Sequence, residues 1–413
     1  MNAFKTFRSL PPENLKNLLT LFITGFFFWA SITTLLPTLP TYIDDLGGTK
    51  RDVGLIMGSF AIGLICSRTW LGNWADRRSR KLVILIGTVV AASAPLGYLL
   101  VPHLNLLPLV RAYHGIAIAA FTTGYSTLVV DISPREQRGE IIGYMSLIAP
   151  IGMGIGPALG SFIQESSGYE VLFITSTIFG IVSFFLANLV REATVQERQQ
   201  QQEDYKSLPQ RSFWALFINP AFLYPTLIFL LIGLLFGALI TFLPLFTREN
   251  GLNFSPGFFY SYAALSSFLG RVLAGGASDK YGRGIFITGS ICFYGLSMML
   301  LSHATSSAEL IIAAIFEGTG GGILFPMLIA LISDRSYPNE RGRVYAICIG
   351  GFDLGGAIAG PILGIIDISY KQMFLVSGYL AIVSLVLFFT LSNKSPLRSL
   401  RFAFGLEKDH YAL

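Results

Sequence analysis

Long apolar blocks alternate with short polar stretches along the whole chain. A helix needs about 20 mostly apolar residues to cross a membrane. None of the blocks shows the alternation, roughly every second residue, of an outer-membrane strand, so the pattern predicts an all-α membrane protein with twelve transmembrane helices. We number them spans 1 to 12, and they occupy 17–43, 53–74, 82–102, 106–130, 140–163, 170–190, 221–246, 256–277, 285–302, 307–331, 343–366 and 371–391.

The composition and the distribution of charge agree with this prediction. Hydrophobic residues make up 53% of the chain and charged residues 13%, whereas a soluble domain carries about 25% charged residues. The net charge of +5 comes from short basic clusters between the blocks and does not indicate nucleic-acid binding. The loops from odd to even spans hold few basic residues, so the positive-inside rule predicts a multi-pass protein with both termini in the cytoplasm. These few are Lys50, Arg51, Arg248 and Lys371. The compact tails favour the inner cell membrane.

The second half of the chain repeats the first at an offset of 203 or 204 residues. A polar linker covers about 191–219, so we predict an N-terminal six-helix bundle at 1–190 and a C-terminal bundle with a short cytoplasmic tail at 220–413. Parallel repeats of this kind are typical of transporters with a site between the repeats. The matching positions are Arg68 with Arg271, Asp76 with Asp279, Arg80 with Arg283, Asp131 with Asp334, Arg138 with Arg341, and the glycines described below.

The loop between spans 2 and 3 reads GNWADRRSRK from Gly72 to Lys81. It resembles the signature loop of the major facilitator superfamily, except that Ser79 stands where glycine is usual. The resemblance implies the major facilitator fold of two pseudo-symmetric six-helix bundles, and a cytoplasmic charge network that latches the halves. By resemblance the network comprises Asp76, Arg77, Arg80, Asp131 and Arg138 in the first half, and Asp279, Arg283, Asp334 and Arg341 in the second.

Span 5 carries a ladder of small residues that resembles a motif of the superfamily's drug:proton antiporter branch. Glycine at every fourth position lets a neighbouring helix approach closely, and proline bends the helix. Simple helix packing explains the ladder equally well. The ladder consists of Gly152, Gly156, Pro157 and Gly160, and its copy in span 11 consists of Gly356, Gly360, Pro361 and Gly364.

A few ionisable residues lie inside the apolar blocks, where they are costly and indicate function. Arg111 and His114 lie in a span 4 segment that resembles another antiporter motif. The alternative interpretation of Arg111 is a side chain that extends to the outer headgroups. Glu317 lies in span 10 and Asp353 in span 11. We predict that Glu317 carries protons and that Arg111 and His114 tune it. The alternative is a static Arg111–Glu317 pair.

We therefore predict a secondary active transporter, a permease that exports small amphiphilic organic compounds by proton-coupled antiport and alternating access. An importer of a sugar or other metabolite, a lipid carrier and a transporter-fold receptor remain alternatives. No phosphate-loop, dinucleotide or HExxH motif is present, so we expect neither an enzyme nor an ATP-driven pump. We expect no cofactor, no metal and no nucleic-acid partner, and a monomer whose partners are the substrate, protons and the lipid bilayer.

Overall fold

The computed structural model describes residues 10–134, 137–192, 211–337, 340–366 and 368–413. All regular secondary structure in these ranges is helical. Ten helical segments are long and apolar enough to cross a membrane. One of these segments contains both span 5 and span 6. The helix Pro256–Tyr281 is of similar length but less apolar than these ten, because it carries several serines and tyrosines and Arg271. The described helices therefore account for the twelve predicted spans.

The first compact unit contains residues 1–48 and 59–204, of which the described part carries spans 1 to 6. Span 1 runs from Pro12 to Thr34 and continues, after a turn, as Leu39–Asp45. Span 1 packs on spans 5 and 6, and span 3 packs on spans 4 and 6. The other helices are Lys50–Arg77 for span 2, Arg80–Leu100 for span 3, Leu107–Ile132 for span 4, and Arg138–Met145 followed by Ile148–Leu189 for spans 5 and 6.

Spans 5 and 6 meet without the loop that the sequence suggests at 164–169. The helix Ile148–Leu189 changes direction at Gly168, whose φ of 84° lies in the left-handed region. Glycine adopts this conformation without the clash that a Cβ produces, so one residue is sufficient to reverse the chain. The pattern of apolar residues gives no sign of the difference, because Tyr169 and Glu170 fit either a loop or a first helical turn.

The second compact unit contains residues 205–413 together with Thr49–Gly58, the first turns of span 2. Span 7 packs on spans 11 and 12, span 8 packs on span 10, and span 9 packs on spans 10 and 12. The helices are Pro220–Glu249 for span 7, Pro256–Tyr281 for span 8, Arg283–His303 for span 9, Ser307–Asp334 for span 10, Arg341–Ile366 for span 11 and Tyr370–Leu391 for span 12.

Local sequence explains where several spans begin. Ser306 and Ser369 each form a capping box, in which the serine side chain accepts from the backbone three residues later and a Glu or Gln side chain returns the bond. Ser79 caps span 3 by accepting a hydrogen bond from the backbone of Leu82. Such caps satisfy N–H groups that have no partner inside the helix.

Two short helices accompany the second unit. The linker helix, Phe213–Phe217, precedes span 7, and the end of the predicted linker is therefore helical. Residues 193–210 of that linker lie outside the described part of the chain. The tail helix, Pro396–Ala403, follows span 12 and packs on spans 9 and 12.

Candidate functional site

A buried polar cluster lies inside the first unit, where span 4 meets spans 2 and 3. Arg111 and His114 are 5% and 0% exposed. The Tyr98 hydroxyl lies 3.1 Å from His114 Nδ1, and the Arg111 guanidinium lies 4.3 Å from the centre of the Phe60 ring. Arg111 Nε and His114 Nε2 have no hydrogen-bond partner among the described residues. Because Arg111 is buried, the headgroup-seeking alternative does not describe this conformation.

A second buried cluster lies inside the second unit, where span 10 meets spans 8 and 9. Glu317 is 7% exposed and its carboxyl accepts a hydrogen bond from the Tyr294 hydroxyl. The Tyr260 hydroxyl is also buried and interacts electrostatically with Glu317. No described residue forms a hydrogen bond with it. Arg271 approaches Tyr294 from span 8. One carboxyl is thus surrounded mainly by uncharged hydroxyl groups and apolar side chains.

Tight packing holds the Tyr294 hydroxyl beside Glu317. A Cβ at Gly321 would lie 2.7 Å from the Tyr294 Oη atom, and a Cβ at Gly320 would lie 3.0 Å from the Tyr294 ring. The absence of side chains at Gly320 and Gly321 therefore makes room for the tyrosine. Neither Tyr98 nor Tyr294 was singled out from the sequence, because a tyrosine in an apolar helix gives no sign of which neighbour it contacts.

The predicted proton-coupling residues thus divide between the two units. Arg111 and His114 have Tyr98 and Phe60 as neighbours in the first unit, and Glu317 has Tyr294 in the second. Asp353 is half-buried in span 11. Each cluster therefore has a polar tyrosine partner of its own, supplied by the preceding span in the chain.

Four of the predicted gate residues form two ion pairs, one where spans 3 and 4 meet and one where spans 9 and 10 meet. Arg80 Nη1 lies 2.5 Å from Asp131, and Arg283 Nη2 lies 2.9 Å from Asp334. Because these positions are related by the 203-residue repeat, the same ion pair occurs once in each half. The Glu192 carboxylate additionally accepts hydrogen bonds from Ser79 and from the Arg80 backbone, a role that the sequence analysis did not identify.

The remaining predicted gate residues whose side chains the structure describes lie at the surface. Asp76, Arg77 and Arg341 are exposed. The side chains of Arg138 and Asp279 lie outside the described part. Exposed charges at a helix end are screened by water, so they stabilise a conformation only where a partner approaches.

The glycine ladders lie at close contacts between helices. In span 5, a Cβ at Gly152, Gly156 or Gly160 would overlap span 1, and Thr33 donates a hydrogen bond to the Gly152 carbonyl oxygen. In span 11, Gly356 lies against span 7. Gly360 and Gly364 lie against the first turns of span 2, which belong to the same unit. Pro157 and Pro361 lie inside their helices.

Two ion pairs outside the predicted site fix the ends of the second unit. Arg335 is 1% exposed, pairs with Asp409 at 2.7 Å and donates hydrogen bonds to the Ala221 and Ser392 carbonyl oxygens. It thereby joins the ends of spans 7, 10 and 12 to the tail. No pattern in the sequence indicated that an arginine in a basic loop would be fully buried.

The second of these ion pairs joins Glu340 to Arg211, beside the linker helix. Burial alone would raise the pKa of the Glu340 carboxyl, but hydrogen bonds from Arg211 and from the Tyr337 backbone hold it below its usual value. The same hydrogen bond raises the pKa of Arg211. Both groups are therefore charged at neutral pH, and the pair attaches the linker to the start of span 11.

A comparison with known families decides the identity of this architecture. The model of the Major Facilitator Superfamily matches residues 21–308 and 257–405. The chain belongs to the Major Facilitator Superfamily. Its resemblance to that superfamily in the loop after span 2 is thereby confirmed, and its apolar helices are those of a multi-pass membrane protein.

Individual relatives agree with the family. The chain is 28% identical over 242 residues to the quinolone resistance protein NorA of Staphylococcus aureus, covering 58% of this chain and 61% of NorA. It is 23% identical to an uncharacterised transporter of the same superfamily from Methanocaldococcus jannaschii, covering 89% of this chain and 97% of that one. The solved structure of the nucleoside transporter NupG superposes with a TM-score of 0.74 at 16% identity, covering 89% and 98%.

Proposed function

We propose that this transporter exports small amphiphilic organic compounds in exchange for protons, with both termini in the cytoplasm. Glu317 carries the proton, and substrate and proton are transported by alternating access of the two halves. The observation that carries the proposal is the burial of Glu317 in span 10 next to the Tyr294 hydroxyl.

The surroundings of Glu317 suit reversible protonation. Removing a carboxylate from water disfavours its charged form, whereas a hydrogen bond from Tyr294 favours that form. The two effects oppose each other, so a small change in hydration as the helices move can shift the balance between the protonated and the charged carboxyl. A carboxyl in a tight ion pair would lack this property, because a nearby guanidinium keeps it charged.

The direction and the substrate class rest on a relative and on the helix interiors. The relative NorA is a quinolone resistance protein, which suits export of a planar amphiphile. Aromatic side chains are abundant in spans 1 and 7, although Phe28, Phe229, Phe242 and Phe246 are buried against neighbouring helices. We infer that the other aromatic side chains of spans 1 and 7 contact the exported compound.

The Arg80–Asp131 and Arg283–Asp334 ion pairs support a rim that changes during transport. They lie at the ends of spans that the positive-inside rule assigns to the cytoplasm. The partly exposed Arg283–Asp334 pair can be broken and re-formed at modest cost, because water is available to both partners. Breaking the buried Arg80–Asp131 pair requires that the moving helix ends admit water to both charges. We propose that they stabilise one of the two access states and that the protein works as a monomer.

Inside-out membrane vesicles with an acidic interior test the proposal. A panel of fluoroquinolones, cationic dyes and sugars is added, and proton release from the vesicles is followed with a pH-sensitive dye. We expect the amphiphilic compounds to release protons from vesicles with the wild-type protein and the Glu317→Gln variant to lose this response.

The Glu249→Gln variant is the matched control, because Glu249 is an exposed carboxyl at the last residue of span 7 and not a buried one. It is expected to behave as the wild type does. Absence of release with every compound, together with proton uptake into the vesicles when a sugar is added, would favour the importer, because a symporter carries proton and sugar in the same direction. Undiminished release with Glu317→Gln at equal protein level would show that Glu317 does not carry the proton.

A further inference from the structure

An apolar groove of about 310 Å³ lies at the surface of the second unit, between spans 8, 9 and 10. This volume is in the range of small-ligand sites. Its polar lining residue, Ser290, donates its hydroxyl to the Phe286 carbonyl oxygen and presents no unsatisfied group. Tyr281 and Ile285 are exposed at one end of the groove. The other lining residues that matter here are Phe286, Gly289, Phe293 and Ile323.

The length and the position of the groove match one acyl chain of a single leaflet. From Ile285 to Phe293 the groove follows span 9 for eight residues, or about 12 Å along the helix axis. One leaflet contributes about 15 Å of hydrocarbon. The groove begins at Tyr281, beside the turn at Gly282 that joins spans 8 and 9, so it lies in the leaflet on the side of that turn.

Glycine keeps the groove open in its middle. A Cβ at Gly289 would have no atom within 4 Å. The position therefore faces the groove itself and not a neighbouring helix. A larger side chain at Gly289 would fill the groove without displacing any residue of the protein.

A lysine and the end of the tail helix lie at the open end of the groove. Lys280 Nζ lies 5.1 Å from the centre of the Tyr281 ring. The tail helix reaches the same place, since its end packs on Gly284, and Gly405 contacts the Tyr281 carbonyl oxygen. This helix carries the exposed residues Arg398 and Arg401.

Carboxylates only partly balance these charges. Arg401 lies 3.8 Å from Glu407, which also pairs with His410. Asp334 pairs with Arg283. Among the side chains that the structure describes here, Lys280 adds positive charge beyond these pairs, and Arg398 shares Glu407 with Arg401, so the open end of the groove attracts an anion.

The outer face of the tail helix has the chemistry of a membrane interface. Its exposed apolar side chains alternate with the two arginines, and helices of this kind lie at the level of the lipid headgroups. The Phe404 ring, just beyond the helix, stacks on Phe389 of span 12 at 5.6 Å, which brings the tail against the span itself. The exposed apolar residues are Leu397, Leu400, Phe404 and Leu406.

We propose that the groove between spans 8, 9 and 10 and the basic residues at its open end form a binding site for an anionic phospholipid. One acyl chain lies along Phe286, Gly289 and Phe293, and the phosphate is bound by Lys280 and the tail-helix arginines. An annular lipid would need no such arrangement, because it contacts the protein without a preferred headgroup. The site is independent of the transported compound and of the direction of transport.

Lipid retention by the purified protein tests the proposal. The protein is extracted in mild detergent, incubated with equal amounts of phosphatidylglycerol and phosphatidylcholine of identical acyl chains, and weighed with its bound lipid by native mass spectrometry. We expect the wild type to retain phosphatidylglycerol in preference. Gly289→Leu should abolish this retention, and the Arg398→Gln/Arg401→Gln double variant should weaken it by roughly 30-fold.

Gly143→Leu is the matched control, because a Cβ at this exposed helical glycine of the first unit also has no atom within 4 Å. It should retain lipid as the wild type does, and gel filtration verifies that every variant is folded. Equal retention of the two lipids by the wild type would overturn the role of the basic residues. Unchanged lipid retention by Gly289→Leu would show that the groove does not bind the acyl chain. This conclusion would hold even if the variant no longer bound a transported compound.

Discussion

The ion pair that occurs once in each half is expected to stabilise the two halves very unequally. Arg80 and Asp131 have side chains that are each 10% exposed, whereas Arg283 and Asp334 are 23% and 44% exposed. Removing one partner of a buried pair costs about 3–5 kcal/mol, because the other charge stays buried. An exposed pair contributes about 0–1 kcal/mol. We expect Asp131→Asn to destabilise the protein by about 3 kcal/mol and Asp334→Asn by less than about 1 kcal/mol.

The apparent melting temperature of the purified protein, followed by tryptophan fluorescence in one detergent, measures this difference. For a unit of this size, each kcal/mol corresponds to roughly 2–4 °C. Asp131→Asn should therefore melt roughly 6–12 °C below the wild type, and Asp334→Asn within roughly 4 °C of it. Replacing Arg80 and Asp131 together by apolar residues should recover part of the loss. An equal decrease for the two single variants would refute the argument from burial.

Three further substitutions have defined outcomes. Gly156→Val forces a branched side chain into span 1, so gel filtration should show loss of folded protein, whereas a normal elution profile would contradict the close contact. Asp409→Asn leaves Arg335 buried without its carboxylate and should cost about 3 kcal/mol in thermal stability; an unchanged melting temperature would exclude this role. Glu340→Gln should speed trypsin cleavage after Arg211 at pH 7. Since the pKa of Glu340 is lowered by folding, the pair stabilises the folded state above the unfolded pKa, and hydrogen-exchange protection of the linker helix should fall only below about pH 4.

The architecture was predictable because two strong signals agree. Helix-length apolar blocks and a repeat of 203 residues both require many independent positions to match, and the structure contains a helix for every predicted span. The turn between spans 5 and 6 was not predictable, since it depends on the φ angle of Gly168 alone. A single glycine is common in apolar helices, so its presence does not announce a reversal of the chain.

The surroundings of the buried charges were less predictable than their positions. The presence of Glu317 in an apolar block already indicates a special role. Its partner could not be inferred, because spans that are apolar on all sides have no periodicity that fixes which face points to which neighbour. Tyr294 becomes important only because it packs against Gly320 and Gly321. Arg335 becomes important only because the folded unit brings the ends of spans 7 and 12 and the tail around it.

The distance along the chain between Arg335 and Asp409 has a consequence for biosynthesis. The two residues are 74 positions apart, and a ribosome that adds about 5–20 residues per second needs roughly 4–15 s to cover that interval. During this time span 10 has already been synthesised, but Arg335 at its end still lacks the carboxylate with which it is buried in the folded protein. The second unit can thus complete its packing only when the tail emerges. A nascent chain interrupted before Asp409 keeps Arg335 without its ion-pair partner. An arginine that cannot be buried is a feature by which membrane quality control can recognise an incomplete protein.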